Sequence, residues 1–213
     1  GGKVYKNVAP LSKYERQELA RLPFRDDTYR RSLGVPALFG ERGYTSLERR
    51  TARPTIEING LASGYQGEGS KTIVPAWARA KLTFRLVPNQ RPDEIRKLVT
   101  AHLRRLCPPT VRMQVRSGHG GDPYLVSPRG PAAQAALRAL QRAFGRQPVL
   151  TREGGSIPIV SDFKRVLGAD SLLLGLALPD DNPHSPNEKF ELECFRKGLR
   201  LGACLWPELA AAR

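Results

Sequence analysis

From Ser171 to Leu178 the chain reads Ser171-Leu-Leu-Leu-Gly-Leu-Ala-Leu178, with no charged residue. A strand this apolar needs cover on both faces, as in a parallel sheet flanked by helices. Its neighbours supply the helices. Ile157 to Leu167 and Glu188 to about Trp206 carry helical patterns, and Pro131 to Phe144 forms a third, with Gly145 as its C-cap. Pro148-Val-Leu-Thr151 adds a short strand. Residues 119–213 therefore predict a βαβα arrangement on a parallel, doubly covered sheet.

The first half follows another pattern. Ser12-Lys-Tyr-Glu15 has capping-box spacing and predicts a short helix to about Arg21. Residues 24–53 read as polar, arginine-rich and irregular. Pro54-Thr-Ile-Glu-Ile-Asn59 alternates as a half-buried strand stopped at Asn59-Gly60, and a glycine-rich loop follows. Ala78 to Val87 alternates with Arg79, Lys81, Thr83 and Arg85, which predicts a strand with one wet face. Pro92 opens a helix with Ile95, Leu98, Val99, Leu103 and Leu106 at helical spacing. Pro108-Pro109 ends it, and Val111 to Val115 reads as a third strand. This order predicts a small α+β sandwich. The break at Ser117-Gly-His-Gly-Gly-Asp-Pro123 divides the chain into residues 1–118 and 119–213.

The net charge is +15 and the pI about 10.4. The basic residues are mostly scattered arginines with no run of five, so they read as a solvated surface rather than a nucleic-acid module. No apolar run reaches the ~18–20 residues that cross a bilayer, and no signal peptide opens the chain. Cys107, Cys194 and Cys204 are few and widely spaced, which fits reduced thiols in a cytoplasm.

Two segments place reactive groups near helix starts. In Thr151-Arg-Glu-Gly-Gly-Ser-Ile-Pro158, Gly154 and Gly155 let a ligand approach the backbone, and Ser156 is a natural N-cap. Free amides at such a terminus favour a carboxylate or an oxyanion; the same residues also suit an ordinary strand–turn–helix corner. His184 precedes Ser185-Pro-Asn-Glu188, which has the spacing of a capping box with proline at N1. It reads as a metal ligand, with Asp180 and Asp181 as acceptors orienting its ring, or as a structural histidine. Arg85 is a carboxylate clamp or one more surface arginine. His119 is a substrate donor or an exposed loop residue, Thr72 has only weak standing, and His102 lies on a polar helix face.

Together five segments resemble one family, the co-catalytic zinc exopeptidases of peptidase family M20, which includes carnosinase-type dipeptidases, aminoacylases and desuccinylases. They are Glu68-Gly-Ser-Lys-Thr-Ile-Val-Pro75, Phe84-Arg-Leu-Val-Pro88, Gly118-His-Gly-Gly121, Thr151 to Pro158 and His184 to Glu188. The resemblance covers nearly the whole chain, in the right order, and points to the dipeptidase branch. It implies a lid or dimerisation domain followed by the C-terminal part of a phosphorylase/hydrolase-like catalytic domain. It implies a two-metal centre of zinc, or manganese, that activates water on the amide bond of a dipeptide or N-acyl amino acid.

Carried over by residue, His184 would be a metal ligand. Arg85 would hold the substrate carboxylate, and Thr72, His119, Gly155 and Ser156 would line the substrate. A homodimer through the lid is implied, and neither nucleic acid nor membrane is expected as a partner. The general base and the other ligands have no counterpart here, so the chain reads as a fragment, inactive alone. A non-catalytic module that kept the fold, or more remotely a basic nucleic-acid binder, are the competing readings.

Overall fold

The computed structural model describes residues 4–153 and 157–212. They form two compact units, Gly1–Tyr124 with Thr151–Ser161, and Leu125–Leu150 with Asp162–Arg213.

The first unit opens with α1 (Lys13–Ala20). Ser12 caps it: the Ser12 N–H donates to Glu15 Oε2 at 2.7 Å and the Glu15 N–H donates back to Ser12 Oγ at 3.2 Å. Residues 24–53 are irregular only in part, chiefly over 33–45. They hold α2 (Asp26–Ser32) and α3 (Ser46–Ala52). α3 has its own capping box, in which Thr45 N–H donates to Glu48 Oε2 and Glu48 N–H donates to Thr45 Oγ1. α1 meets α3 through a small core of Leu11, Leu19, Leu47 and Ala52, with Leu22 and Phe24 packed against it. Arg53 is buried beside that core, bidentate to Glu41 at 2.7 Å and stacked 4.3 Å over Tyr44.

β1 (Thr55–Ser63) and β2 (Ala78–Arg85) pair antiparallel. Asn59-Gly60 does not stop β1. The strand continues through it, with a bulge between Ile58, which pairs with Leu82, and Gly60, which pairs with Lys81. The extra residue keeps Leu61, opposite Ala80, on the same face as Ile56, Ile58, Leu82 and Phe84. Arg79, Lys81, Thr83 and Arg85 take the other face, the wet face their alternation predicts. The apolar face is itself uncovered: Ile56, Ile58 and Leu61 are all more than half exposed.

A buried turn joins β2 to α4 (Pro92–Leu106). Gln90 holds it, accepting from the Val87 N–H at 3.0 Å and donating to the Val4 carbonyl at 2.9 Å. The third strand predicted at Val111–Val115 is absent among the described residues, because no second strand pairs with it there; the Val111 N–H instead donates to the Pro108 carbonyl at 3.3 Å.

The second unit rests on α5 (Pro131–Phe144) and α7 (Leu192–Ala210). Pro131 starts α5, and Gly145 ends it in the left-handed region at φ 68°, as its sequence predicts. Ala133, Ala135, Ala136, Ala139 and Ala143 are buried on α5, and Ala139 and Ala143 form a core with Leu201 of α7. Small side chains let the two helix axes come close. α6 (Pro158–Leu167) also forms where its pattern predicts.

The predicted strands at 148–151 and 171–178 have no ladder partner among the described residues. Residues 171–178 nonetheless alternate: Leu172, Leu174 and Leu176 are half-buried, while Leu173 is mostly exposed. Leu174 and Leu176 pack against the α5–α7 core. The segment is thus covered on one face rather than two. α7 starts at Leu192 with Glu191 as N-cap, later than the predicted start at Glu188, and runs on through Pro207.

Two glycines inside α7 make a paired test. A methyl at Gly202 meets nothing within 4 Å, whereas one at Gly198 would lie 2.9 Å from Leu176 Cδ1. Gly202→Ala should therefore raise stability by about 0.5–1 kcal/mol, the helix-interior penalty of glycine. Gly198→Ala should gain less, because Leu176 must rotate away. Urea denaturation of both variants checks the ranking.

Candidate functional site

Arg85 is the last residue of β2, paired with Thr55 and exposed, with no ion pair among the described residues. The buried Val87–Gln90 turn fixes the strand end that carries it. The loop bearing His119 passes the start of the next helix, since a Cβ on the adjacent Gly120 would lie 3.2 Å from Pro92 Cβ. Both side chains are exposed and free to meet a ligand.

Thr72 lies in the connection between β1 and β2, exposed. Ser63 pairs with Ala78 at the end of the hairpin from which that connection springs, and Thr55 pairs with Arg85 at the other end. Eight strand residues span roughly 23 Å. The hairpin therefore does not itself gather Thr72 and Arg85. Gly155 and Ser156 lie outside the described residues, as does the predicted N-cap role of Ser156.

The approach to that glycine segment is visible at Arg152. Its Nε donates to Glu15 Oε1 at 2.6 Å. The Glu15 carboxylate is thereby divided, with Oε2 on the α1 cap and Oε1 on Arg152. Glu48 is divided in the same way, with Oε2 on its own cap and Oε1 on Arg16. Burial alone would raise the Glu15 pKa. The Arg152 and Ser12 hydrogen bonds outweigh it and hold the carboxyl below the ordinary range.

In the second unit His184 is exposed on a turn, in the left-handed region at φ 62°, between Asn182 at 52° and Asn187 at 60°. The predicted capping box at Ser185 does not form, because the helix begins only at Leu192. Glu188 Oε2 instead accepts from the His184 N–H at 3.4 Å. Neither Asp180 nor Asp181 accepts from the His184 ring among the described residues, so the predicted direct orientation is replaced by another arrangement. Lys189 Nζ lies 3.1 Å from Asp180, 3.5 Å from Asp181 and 2.7 Å from Glu191. The hydrogen bonds to Glu191 and Asp180 raise the Lys189 pKa, and the bond from Lys189 lowers that of Asp180.

Neutral imidazole is a good zinc or manganese ligand. Yet no group of three His, Cys, Asp or Glu side chains gathers among the described residues. They do not by themselves make a complete metal centre.

A family model described as "Peptidase dimerisation domain" matches residues 16–111. The Cys-Gly metallodipeptidase of Schizosaccharomyces pombe is 32% identical over 169 residues, covering 78% of this chain and 36% of the relative. The crystal structure of human carnosine dipeptidase 1 superposes with a TM-score of 0.80 at 28% identity, covering 98% of this chain and 44% of that one. An M20 family metallo-carboxypeptidase from Sulfolobus solfataricus gives 0.79 at 28% identity, over 96% of this chain and 47% of that one. The chain belongs to the M20 peptidase family. It spans less than half the length of these relatives. Its mixed α/β fold is theirs over the matched part. No described helix is long and apolar enough to cross a membrane.

The Glu15 carboxylate gives a pH test. Because folding lowers its pKa, the unfolded chain binds more protons in acid, so the stabilisation is present above the ordinary carboxylate range and lost as pH falls through the lowered value. Glu15→Gln should destabilise the chain at neutral pH, with the gap from wild type closing in acid. A constant gap across a denaturation series from neutral to acid pH would refute the Glu15–Arg152 tie as its source.

Proposed function

We propose that the chain supplies the lid, residues 1–118, and the C-terminal part of the catalytic domain, residues 119–213, of a metal-dependent dipeptidase. The observation that carries this reading is the fold match over 98% of the chain to a carnosine dipeptidase. The family model on residues 16–111 supports a homodimer formed through the lid. The substrates are dipeptides or N-acyl amino acids, and a cytoplasmic location fits three free cysteines.

Arg85 binds the substrate's C-terminal carboxylate. A planar guanidinium on a rigid strand end offers two parallel N–H donors to the two carboxylate oxygens. His119 contributes a further hydrogen bond to substrate, and Thr72, Gly155 and Ser156 line it. His184 contributes one imidazole to a centre of two zinc ions, or manganese, which would polarise the scissile carbonyl and supply hydroxide. Among the described residues no group of three His, Cys, Asp or Glu side chains gathers to complete that centre. The chain therefore provides binding walls and one ligand rather than a working catalyst.

Two outcomes follow. The purified chain with zinc or manganese should not hydrolyse dipeptides, and metal-dependent turnover that survives repurification would overturn that. An NMR titration should show the Arg85 side-chain N–H signals moving with a free dipeptide and not with its C-terminal amide. Arg85→Ala should weaken binding of the acid by about tenfold to a hundredfold, the worth of a charge-assisted hydrogen bond. Equal responses to acid and amide would refute the clamp.

A further inference from the structure

His184 occupies the left-handed region, which costs a residue with a Cβ about 1–2 kcal/mol. Something must hold it there. The adjacent contacts converge on one buried residue. Asp181 is 3% exposed. Its Oδ2 accepts from the Leu178 N–H at 2.8 Å, and its own N–H donates to the Leu178 carbonyl at 3.2 Å. Its carbonyl accepts from the Lys189 N–H at 3.0 Å, which closes residues 181–189 into a loop. Inside the loop the Ser185 N–H donates to the Asn182 carbonyl at 3.1 Å.

We propose that Asp181 is the positioning residue for His184, clasping the end of the 171–178 segment to Lys189 so that the loop between them presents the imidazole in one fixed conformation. The proposal rests on the ligand reading of His184 only for its functional meaning. Backbone and side chain of Asp181 act together, binding Leu178 on one side and Lys189 on the other. Asp181 Oδ1 is buried without a hydrogen bond, 3.5 Å from Lys189 Nζ. The Lys189 contacts to Asp180 and Glu191 lie on partly exposed side chains, and exposed pairs contribute little. The hydrogen bond from Leu178 to the Asp181 carboxylate, rather than the charge of Lys189, is therefore what holds the clasp.

NMR of the chain with Asp181→Ala, Asp181→Asn and Lys189→Met tests this. In Asp181→Ala, the three-bond coupling and Cα shift of His184 should leave left-handed values. The Lys189 amide should exchange about tenfold faster, the loss expected for one buried hydrogen bond. Amides in the middle of α7 should not change. Asp181→Asn keeps an oxygen acceptor for Leu178 and should restore the His184 signature, which a general loss of packing would not. Lys189→Met should change the Lys189 exchange by less than about twofold.

An unchanged His184 signature in Asp181→Ala overturns the proposal, as does equal release in Lys189→Met. Should Asp181→Ala fail to fold, wild-type exchange decides. The Leu178 and Lys189 amides must then be protected together, and unprotected amides at both overturn it. None of these readouts involves a metal. The ligand reading fails separately, if zinc added to the wild type moves the His184 ring signals no more than those of His102 and His119.

Discussion

An extended segment becomes a strand only when a second backbone answers its N–H and C=O groups. Among the described residues that happens once, between Thr55–Ser63 and Ala78–Arg85. Everything else must be stabilised by helices or by side chains. The first unit is held by α1 against α3 and by buried arginine contacts. The second is held by an alanine face on α5 that admits Leu201 of α7. The segment Ser171–Leu178 shows the consequence most directly. It stays extended, lays Leu174 and Leu176 on the helices, and leaves Leu173 in water. The candidate binding residues sit where this framework ends: Arg85 at a strand terminus, His119 in the loop passing Pro92, His184 in the turn after the extended leucines.

Carboxylates are the scarce partner in this chain, 20 against 35 basic residues, and they are shared accordingly. Glu15 and Glu48 each cap a helix with one oxygen and take an arginine with the other. Glu208 serves both Arg138 and Arg142 across the α5–α7 pair. Glu41 takes two nitrogens along the edge of one arginine whose guanidinium lies over the Tyr44 ring. Local capping and long-range attachment are thus coupled through single side chains, so substitutions at Ser12, Glu15 and Arg152 should not act additively.

The helices were largely legible in the sequence because their signals are local. Ser12 and Glu15, Pro92, Pro131 and Gly145 each mark a boundary through a bond or a fixed φ within one turn. α3 carried the same signal at Thr45 and Glu48, and it was hidden by the surrounding arginines and glycines. The strands were less legible because an apolar or alternating run reports a need for cover, not its supply. Val111–Val115 and Ser171–Leu178 have the composition of strands but no ladder partner among the described residues. At the candidate site, the sequence identified residue types but not the contacts between them. Ser185 to Glu188 has the spacing of a capping box, yet the left-handed φ values at His184 and Asn187 divert the chain before a helix can start. The pattern marked Asp181 as an acceptor for the His184 ring, whereas its carboxylate accepts from the Leu178 N–H and its carbonyl from the Lys189 N–H.

The bulge at Asn59 gives the β-hairpin a phase. Ile58 and Leu61 share a face only because one residue between them is not counted by the partner strand. The hairpin thus behaves like a coding frame. A substitution at Asn59 leaves that phase intact, and so does its deletion, because the partner strand already skips one residue there; flattening the bulge so that Asn59 is counted in the ladder would invert every position that follows toward Ser63. Leu61 would then join the arginine face, and the apolar face would be cut short. The skip in the pairing, more than the identity of the skipped residue, sets the phase at that point.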